Sequence, residues 1–204
     1  MTTLLYLFCA TGGYLFGCLN PAYLLARRKG FDIRDRGSKG SGASNALITM
    51  GWGSAVFVAL IDIGKAALSA FLAALAFPQL PAAAAAAGTA CVLGHIYPFY
   101  MHFRGGKGFA PFAGLILALD WKFFLVIVVL VITITLITDY IALGTLTTVI
   151  SFPTWTAIHG NLFPAAIVCI ASVVIIYKHL INIQRMLNGT EIGLRRANRH
   201  DAPK

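Results

Sequence analysis

The 204 residues of the chain include 58% hydrophobic and only 11% charged side chains, whereas soluble domains average about 45–50% apolar and about 25% charged residues. This composition excludes an ordinary soluble domain and indicates an all-α integral membrane protein. The formal net charge of +9 does not indicate nucleic-acid binding, because the basic residues fall in short loops between apolar runs, as the positive-inside rule describes. The four cysteines lack the paired spacing of metal ligands, so we expect no metal site.

The apolar runs predict one membrane domain, residues 1–204, built as a single polytopic bundle of about seven transmembrane helices. They cover residues 4–26, 55–77, 82–100, 109–119, 121–138, 140–158 and 162–180. The basic loop after the first run marks the cytoplasmic side and puts the N-terminus outside. If the short fourth run were re-entrant, the basic C-terminal tail would lie outside. Seven spans instead make the C-terminus cytoplasmic and satisfy the charge rule.

A glycine- and serine-rich segment, residues 37–45, precedes the second predicted helix. Its exposed N–H and O–H groups suit a phosphate or an oxyanion, although glycine and serine also dominate flexible linkers. The candidate binding residues of this segment are Ser38, Lys39, Gly42, Ser44 and Asn45.

A second polar segment, residues 94–110, joins two apolar runs and contains the sequence RGGKG. Glycine lets backbone N–H groups approach an anion closely, and the helix that begins at Phe109 adds its positive dipole end. The alternative is a basic turn that only orients the protein in the membrane. The candidate anion-binding residues here are Arg104, Gly105, Gly106, Lys107 and Gly108.

A third polar group lies at the cytoplasmic end of the last predicted helix. His179, Asn182 and Arg185 are three residues apart and therefore share one helix face. A polar helix end at the membrane surface is the alternative reading, because His and Arg are ordinary residues near helix C-termini. Glu191 follows and is a further candidate substrate-binding residue. We also expect it to hold the tail in place through Arg185 or neighbouring cations.

Charged residues also occur within the predicted membrane helices. Asp62 and Lys65 are three apart and are expected to form a structural ion pair near the site. His95 and Asp139 flank the same cytoplasmic face and are expected to position loops. The alanine run of residues 82–87 is expected to be a small-residue helix-packing surface.

Together these segments resemble the bacterial acyl-phosphate-dependent glycerol-3-phosphate acyltransferases, the PlsY family. The matching motifs are Gly42-Ala43-Ser44-Asn45, Gly94-His95, the RGGKG sequence, and His179 with Asn182-Ile183 and Arg185. The resemblance implies seven helices with a cytoplasmic site, in the plasma (inner) membrane of a bacterium. It implies acyl transfer from acyl phosphate to the 1-hydroxyl of glycerol 3-phosphate, giving lysophosphatidic acid and phosphate. It implies that the protein needs no cofactor. It also implies contact with membrane lipid and no obligate protein partner.

The resemblance also suggests roles for the candidate residues. The predicted phosphate cradle consists of Lys107 and the N–H groups of Gly105, Gly106 and Gly108. Ser38 would hold the other anion or the oxyanion. His179 would bind substrate or act as a general base, with Asn182 orienting the substrate. The leaving phosphate is the alternative proton acceptor.

The first polar segment departs from the family pattern. Lys39-Gly40 stands where that pattern has Gly-Asn, and Ile48 stands where it has an arginine. Either Lys39 restores the lost charge, or the chain is a paralogue with a different acceptor. A non-catalytic carrier of a phosphorylated solute or lipid is a further alternative. A proline shifted by one position, Pro21, predicts an altered bend in the first helix.

Overall fold

A computed structural model describes residues 1–195, and this part of the chain folds as a helical bundle. Its helices are α1 (Thr2–Cys18), α2 (Pro21–Arg28), α3 (Ala43–Ala76), α4 (Ala83–Ile96), α5 (Phe109–Leu119), α6 (Trp121–Thr138), α7 (Ile141–Ile158) and α8 (Leu162–Leu187). Two single 3₁₀ turns, Ile33–Asp35 and Phe99–Met101, lie in the connecting loops. The predicted cytoplasmic tail, residues 196–204, lies outside the described residues.

The first predicted span is two helices rather than one. The Asn20 side chain caps α2 by accepting a hydrogen bond from Tyr23 N at 2.9 Å, and Pro21 occupies the first helical position, so this dipeptide starts a new helix. The buried amide of Asn20 also donates to the carbonyl and hydroxyl oxygens of Ser41 at 3.1 and 3.0 Å. The shifted proline therefore does more than bend the helix, because the break ties α2 to the glycine-rich loop.

Three other predicted boundaries differ from the structure. The second predicted helix corresponds to α3, which begins at Ala43. The regular helix is interrupted at Gly51, where φ is 79° and ψ is 177°, a conformation that glycine adopts without steric strain. Helix α4 ends at Ile96 because Pro98 follows shortly after. Helix α8 continues to Leu187, which places the third polar group within regular helix.

Within residues 1–195, five helical segments are long and apolar enough to cross a membrane: Thr2–Arg28, Ala43–Ala76, Trp121–Thr138, Ile141–Ile158 and Leu162–Leu187. Helices α4 and α5, with 14 and 11 residues, are shorter than the roughly 20 residues of a typical span. Many large apolar side chains of the long helices face outward, as lipid-facing residues do. The chain is therefore an all-α integral membrane protein.

Contacts near the helix ends and in the loops show which turns lie at the same end of the bundle. At one end lie Tyr6 and Phe163 with ring centroids 5.7 Å apart, Phe8 and Phe77 at 6.0 Å, and Trp155 Nε1 donating to Asp120 Oδ2 at 3.1 Å. At the other end, Arg34 Nη1 donates to Met101 O at 2.8 Å. We call this second end the polar end. It comprises the segments 29–42, 97–108, 139–140 and 188–195.

Helix α4 lies at the centre of the bundle and packs closely through small residues. Ala82, Ala83, Ala85 and Ala87 are at most 2% exposed, which confirms the predicted packing surface. A Cβ atom on Gly13 or Gly17 of α1 would overlap the backbone of Ala87 or Cys91. The backbones of α1 and α4 are therefore in direct contact, as small-residue spacing permits in membrane helices.

We expect Gly13→Ala to lower the midpoint of thermal unfolding in detergent, because the added methyl group must separate α1 from α4 at a cost of about 1–3 kcal/mol. The neighbouring Gly12→Ala is the matched control, since a Cβ there meets nothing within 4 Å. It is expected to leave the midpoint unchanged or raise it, because alanine favours helix over glycine by up to about 1 kcal/mol. Equal shifts for the two variants would contradict the close contact.

Candidate active site

Two adjoining cavities at the polar end contain all the predicted site residues. The central cavity, about 140 Å³, is lined by Ser38, Gly42, Ser44, Asn45, Lys107, Gly108, His179, Asn182 and Glu191, among others. The outer cleft, about 230 Å³, is lined by Ser38, Lys39, Arg104, Gly105, Gly106 and Lys107, among others. Ser38 and Lys107 border both spaces, so the fold brings the three polar segments together.

Asn45 organises the glycine-rich loop. Its Oδ1 accepts from Ser38 N at 2.8 Å, and its Nδ2 donates to the carbonyls of Ile33, Gly40 and, at 3.1 Å, Arg36. Because these bonds use both amide hydrogens, Asn45 holds the loop around the cavity instead of offering donors to a substrate. This corrects its predicted place among the binding groups.

The RGGKG loop folds back onto the end of α4. Gly105 N donates to Ile96 O at 3.0 Å, and Gly106 N donates to His95 O at 3.1 Å. The prediction that these two N–H groups cradle a phosphate is therefore corrected, since backbone carbonyls already accept from them. Their contribution is close packing: a Cβ atom on Gly106 would overlap the His95 imidazole, and one on Gly105 would overlap His95 O.

A buried charge cluster contacts His95, the residue against which this loop packs. Lys65 Nζ lies 2.8 Å from Asp62 Oδ1, which confirms the predicted ion pair, and Asp62 Oδ1 lies 3.2 Å from His95 Nδ1. Lys65 also donates to Gly17 O at 3.0 Å and to Leu19 O at 2.5 Å. The cluster thus joins α1, α3 and α4, and it fixes the imidazole on which the loop packs. His95 positions this loop, as expected.

The N-termini of α3, α5 and α7 all line the central cavity, and those of α3 and α5 follow a glycine. Gly42 is the N-cap of α3 and Gly108 is the N-cap of α5, and neither helix has a side-chain cap. The cavity is lined by residues 42–44 of one helix start and 108–110 of the other. The first N–H groups of a helix have no partner within it and carry partial positive charge. The arrangement therefore suits an anion.

A hydrogen-bonded chain joins the RGGKG loop, α8 and the tail. Lys107 Nζ donates to Asn182 Oδ1 at 2.6 Å, and Asn182 Nδ2 donates to Glu191 Oε1 at 2.5 Å. The amide thus turns its oxygen to the cation and its NH₂ to the carboxylate. The predicted pairing of Glu191 with a cation is corrected: its side chain binds Asn182, and Arg185 contributes its carbonyl oxygen to Glu191 N at 3.2 Å.

The Lys107 side chain is partly buried. Burial lowers its pKa from the ordinary value to about 8, with Glu191 opposing this shift and Arg185 adding to it. At neutral pH the side chain remains mostly protonated. A cation that is already partly desolvated binds an incoming anion with a smaller further desolvation penalty.

His179 lines the central cavity, and its two ring nitrogens have different roles. Its Nδ1 lies 2.8 Å from Ile175 O. Because a carbonyl oxygen can only accept, Nδ1 carries the hydrogen and Nε2 carries the lone pair. The side chain is 4% exposed and lines the cavity. The geometry therefore leaves Nε2 able to accept a proton from a bound hydroxyl group.

The segment after α8 closes the central cavity. Asp139 accepts from Leu194 N through its backbone oxygen at 3.0 Å and from Arg195 N through Oδ1 at 2.9 Å. A Cβ atom on Gly193 would overlap the Asp139 carboxylate, so a larger residue there would displace this side chain. Asp139 positions this segment, as predicted for a residue on that face.

One wall of the cavity was not predicted. It is formed by Tyr140, Ile141, Ala142 and Thr145 at the start of α7, together with residues 192–194. Ile141 and Ala142 are ordinary residues for a membrane helix, so the sequence holds no signal that marks them as site residues. Only the fold brings them opposite His179.

The sequence profile of the family described as Glycerol-3-phosphate acyltransferase matches residues 7–189. The chain belongs to this family. Among glycerol-3-phosphate acyltransferases, protein 1 of Oceanobacillus iheyensis is 38% identical over 196 residues, which is 93% of this chain and 95% of the relative. The Thermus thermophilus protein is 36% identical over 179 residues, with coverage of 87% and 89%.

Solved structures of this acyltransferase family have the same fold. The crystal structure of PlsY, an integral membrane glycerol 3-phosphate acyltransferase, in its glycerol 3-phosphate form has a TM-score of 0.87 at 30% identity, covering 93% of this chain and 95% of that one. The lysophosphatidic acid form has a TM-score of 0.83 at 30% identity, covering 92% and 94%. The resemblance to the PlsY family is confirmed.

The lowered pKa of Lys107 predicts the pH dependence of acyltransferase activity. If a charged Lys107 binds the substrate anion, kcat/KM is expected to fall about tenfold per pH unit above about pH 8, because this ratio reports titration of the free enzyme. Lys107→Arg is expected to be slower but to lack this decline, since a guanidinium stays protonated. The control is Lys29→Arg at an exposed position, which should show the same decline in kcat/KM as the wild type. A wild-type profile that stays flat to about pH 9.5 would rule out the role.

Proposed function

We propose that the chain transfers a fatty acyl group from acyl phosphate to the 1-hydroxyl of glycerol 3-phosphate, releasing lysophosphatidic acid and phosphate. The observation that carries this proposal is the convergence of Lys107, the uncapped N-termini of α3 and α5 and the free nitrogen of His179 on one cavity. Membership of a glycerol-3-phosphate acyltransferase family supplies the reaction class.

The helix N-termini at Gly42 and Gly108 stabilise the charge that develops during acyl transfer. An acyl phosphate is an activated anhydride. The acceptor hydroxyl forms a C–O bond to its carbonyl carbon, and the carbonyl oxygen gains negative charge. That charge is relieved when the bond to the phosphate oxygen breaks and phosphate leaves with the electron pair. Orphan helix N–H groups and Ser38 are suited to stabilise this oxyanion, while the cavity holds both substrates in position.

The hydroxyl proton has two acceptors in this scheme. His179 Nε2 lines the cavity and carries a lone pair, so it takes the proton directly when the acceptor is bound beside it. The leaving phosphate is the second acceptor, with His179 then serving to orient the hydroxyl group. Lys107 binds a substrate phosphate, and Asn182 and Glu191 hold its ammonium in place.

The acyl chain of the donor enters from the membrane. On this proposal it lies against the apolar wall at the start of α7, where Ile141 and Ala142 line the central cavity opposite the polar groups. A hydrocarbon chain gains about 0.8 kcal/mol for each buried CH₂ group. This gain is relative to water, so the wall lets a donor dissolved in the bilayer reach the site without exposing its chain to water.

Ile48 supports a second candidate function, acylation of a different acceptor. It lines the central cavity, and its apolar side chain offers no charge or hydrogen bond to a phosphate. An acceptor without phosphate would fit beside it. In that case acyl phosphate would be consumed at a rate that glycerol 3-phosphate does not stimulate.

We further propose seven membrane crossings with the polar end in the cytoplasm, α1 and α2 forming one crossing. Contacts at the two ends of the bundle support alternating directions for successive segments. Lys122 is the only lysine or arginine assigned to the opposite end within the described chain, so the charge bias favours a cytoplasmic polar end and an N-terminus outside. The site would then face the cytoplasm of a bacterial inner membrane.

Cysteine labelling tests this orientation. In a variant that lacks the native cysteines, Lys122→Cys is expected to react with a membrane-impermeant maleimide on intact cells. Lys29→Cys is expected to react only after permeabilisation, because the polar end faces inward. The reverse pattern would invert the orientation, and protection of both positions would show that α5 does not cross.

Purified protein in detergent, given acyl phosphate and glycerol 3-phosphate, is expected to form lysophosphatidic acid and phosphate in equal amounts. Mass spectrometry and a phosphate assay measure the two products. Lys107→Ala should lower the rate at least about a hundredfold, because it removes a partly buried cation from the substrate site. The exposed Lys29→Ala is the matched control. A wild-type protein that forms neither product at any chain length would refute the proposal.

A further inference from the structure

The outer cleft is strongly cationic. It is lined by Arg34, Lys39, Arg104, Lys107 and Lys178, and among the described residues no aspartate or glutamate lines it. The central cavity differs, because Asp62, Asp139 and Glu191 are part of its wall. The two spaces meet at Ser38, Gly40 and Lys107. An anion in the cleft therefore lies next to the site of acyl transfer.

Some of these cations already have partners. Arg34 Nη2 lies 2.6 Å from Asp32 Oδ2, and Lys107 binds Asn182. Lys178 Nζ lies over the Tyr97 ring, 4.5 Å from its centroid, and no carboxylate of residues 1–195 forms an ion pair with it. Over residues 1–195, the side chains of Lys39 and Arg104 show neither an ion pair nor a hydrogen bond. The cleft thus has three cations that are not neutralised.

Lys39 also has an unfavourable backbone conformation. Its φ is 63°, in the left-handed region, which costs a residue with a Cβ atom roughly 1–2 kcal/mol relative to the right-handed region. The turn itself is held by Lys39 N donating to Arg36 O at 3.0 Å, a bond that any residue except proline would make. Glycine would adopt this turn without strain. A lysine therefore occupies a position whose backbone conformation favours glycine, which points to a function for its charge.

The proposed reaction brings two phosphate groups to one site. Two dianions in the central cavity would repel each other strongly, because the interaction energy of nearby charges rises as water is excluded. A separate cationic space on the far side of Lys107 relieves this repulsion. The outer cleft offers that space.

We propose that Lys39, with Arg104 and Lys178, binds a substrate phosphate group in the outer cleft. The inference rests on the proposed function. The ligand is a phosphate dianion, and it comes either from glycerol 3-phosphate or from acyl phosphate. Lys39 is on this proposal a binding residue that tunes substrate affinity, while Lys107 remains the partly buried cation shared by both cavities.

The test compares Lys39→Gly, Lys39→Gln and the control Lys29→Gln, which removes an exposed charge from the same end of the bundle. Lys39→Gly is expected to keep or raise the thermal unfolding midpoint, because it relieves the left-handed strain. Both Lys39 variants are expected to raise one KM about tenfold or more, with kcat nearly unchanged, because a charge-assisted hydrogen bond is lost. A merely structural role would lower stability and leave KM unchanged.

Two kinetic series identify the source of the phosphate. A higher KM for glycerol 3-phosphate at saturating acyl phosphate assigns the cleft to the acceptor, and a higher KM for acyl phosphate assigns it to the donor. Added salt should raise the affected KM more in the wild type than in Lys39→Gly, since screening weakens an exposed cation. Lys29→Gln should show neither effect.

Direct binding of inorganic phosphate to the purified protein separates this inference from the proposed function. If the wild type is inactive but binds phosphate more tightly than both Lys39 variants do, the proposed reaction is refuted and the proposed phosphate site is supported. If the wild type is active and both Lys39 variants keep wild-type KM values and phosphate affinity, the proposed phosphate site is refuted and the proposed reaction is supported. If Lys39→Gly unfolds at a lower temperature than the wild type, the backbone of Lys39 is not strained. The KM and phosphate affinity of Lys39→Gln then test whether Lys39 binds phosphate.

Discussion

The polar end of the bundle depends on one buried interaction, the contact of the Lys65 ammonium with Asp62 and with the end of α1. Because α1 stops at Cys18, the carbonyls of Gly17 and Leu19 lack helical partners, and Lys65 donates to both. A buried charge is tolerated only when such partners satisfy it. Asp62 in turn contacts His95, against which the RGGKG loop packs. The position of Lys107 therefore follows from an ion pair outside its own loop.

Among the described α-helices, α2 and α6 have a side-chain cap, and the other six have none. Helices α2 and α6, which begin away from the cavities, are capped by the side chains of Asn20 and Asp120. Helices α3 and α5 begin at the central cavity after Gly42 and Gly108, with no side-chain cap. A capping side chain there would occupy the N–H groups that an anion needs. At α3 and α5 the first N–H groups are therefore left available to an anion in the central cavity.

Residue spacing predicted those parts of the site that lie on one element. The pairing of Asp62 with Lys65 follows from a three-residue separation on a helix, and the same rule put His179 and Asn182 on one face. Partners that come from another element were not predictable. Glu191 binds Asn182, and the Gly106 N–H donates to His95 O, because the loop folds back after Pro98. Sequence distance carries no information on such contacts.

The sequence by itself determined that the chain is an all-α membrane protein, where its polar segments lie, and which family it belongs to, since composition, hydropathy and short motifs are local properties. Only the tertiary structure decided what each polar group does. It turned Asn45 from a binding candidate into the residue that shapes its loop. It also gathered the cations around Lys39 into one cleft. The physical reason is that burial, hydrogen-bond satisfaction and electrostatic potential depend on distances between elements, which the packing of the helices sets.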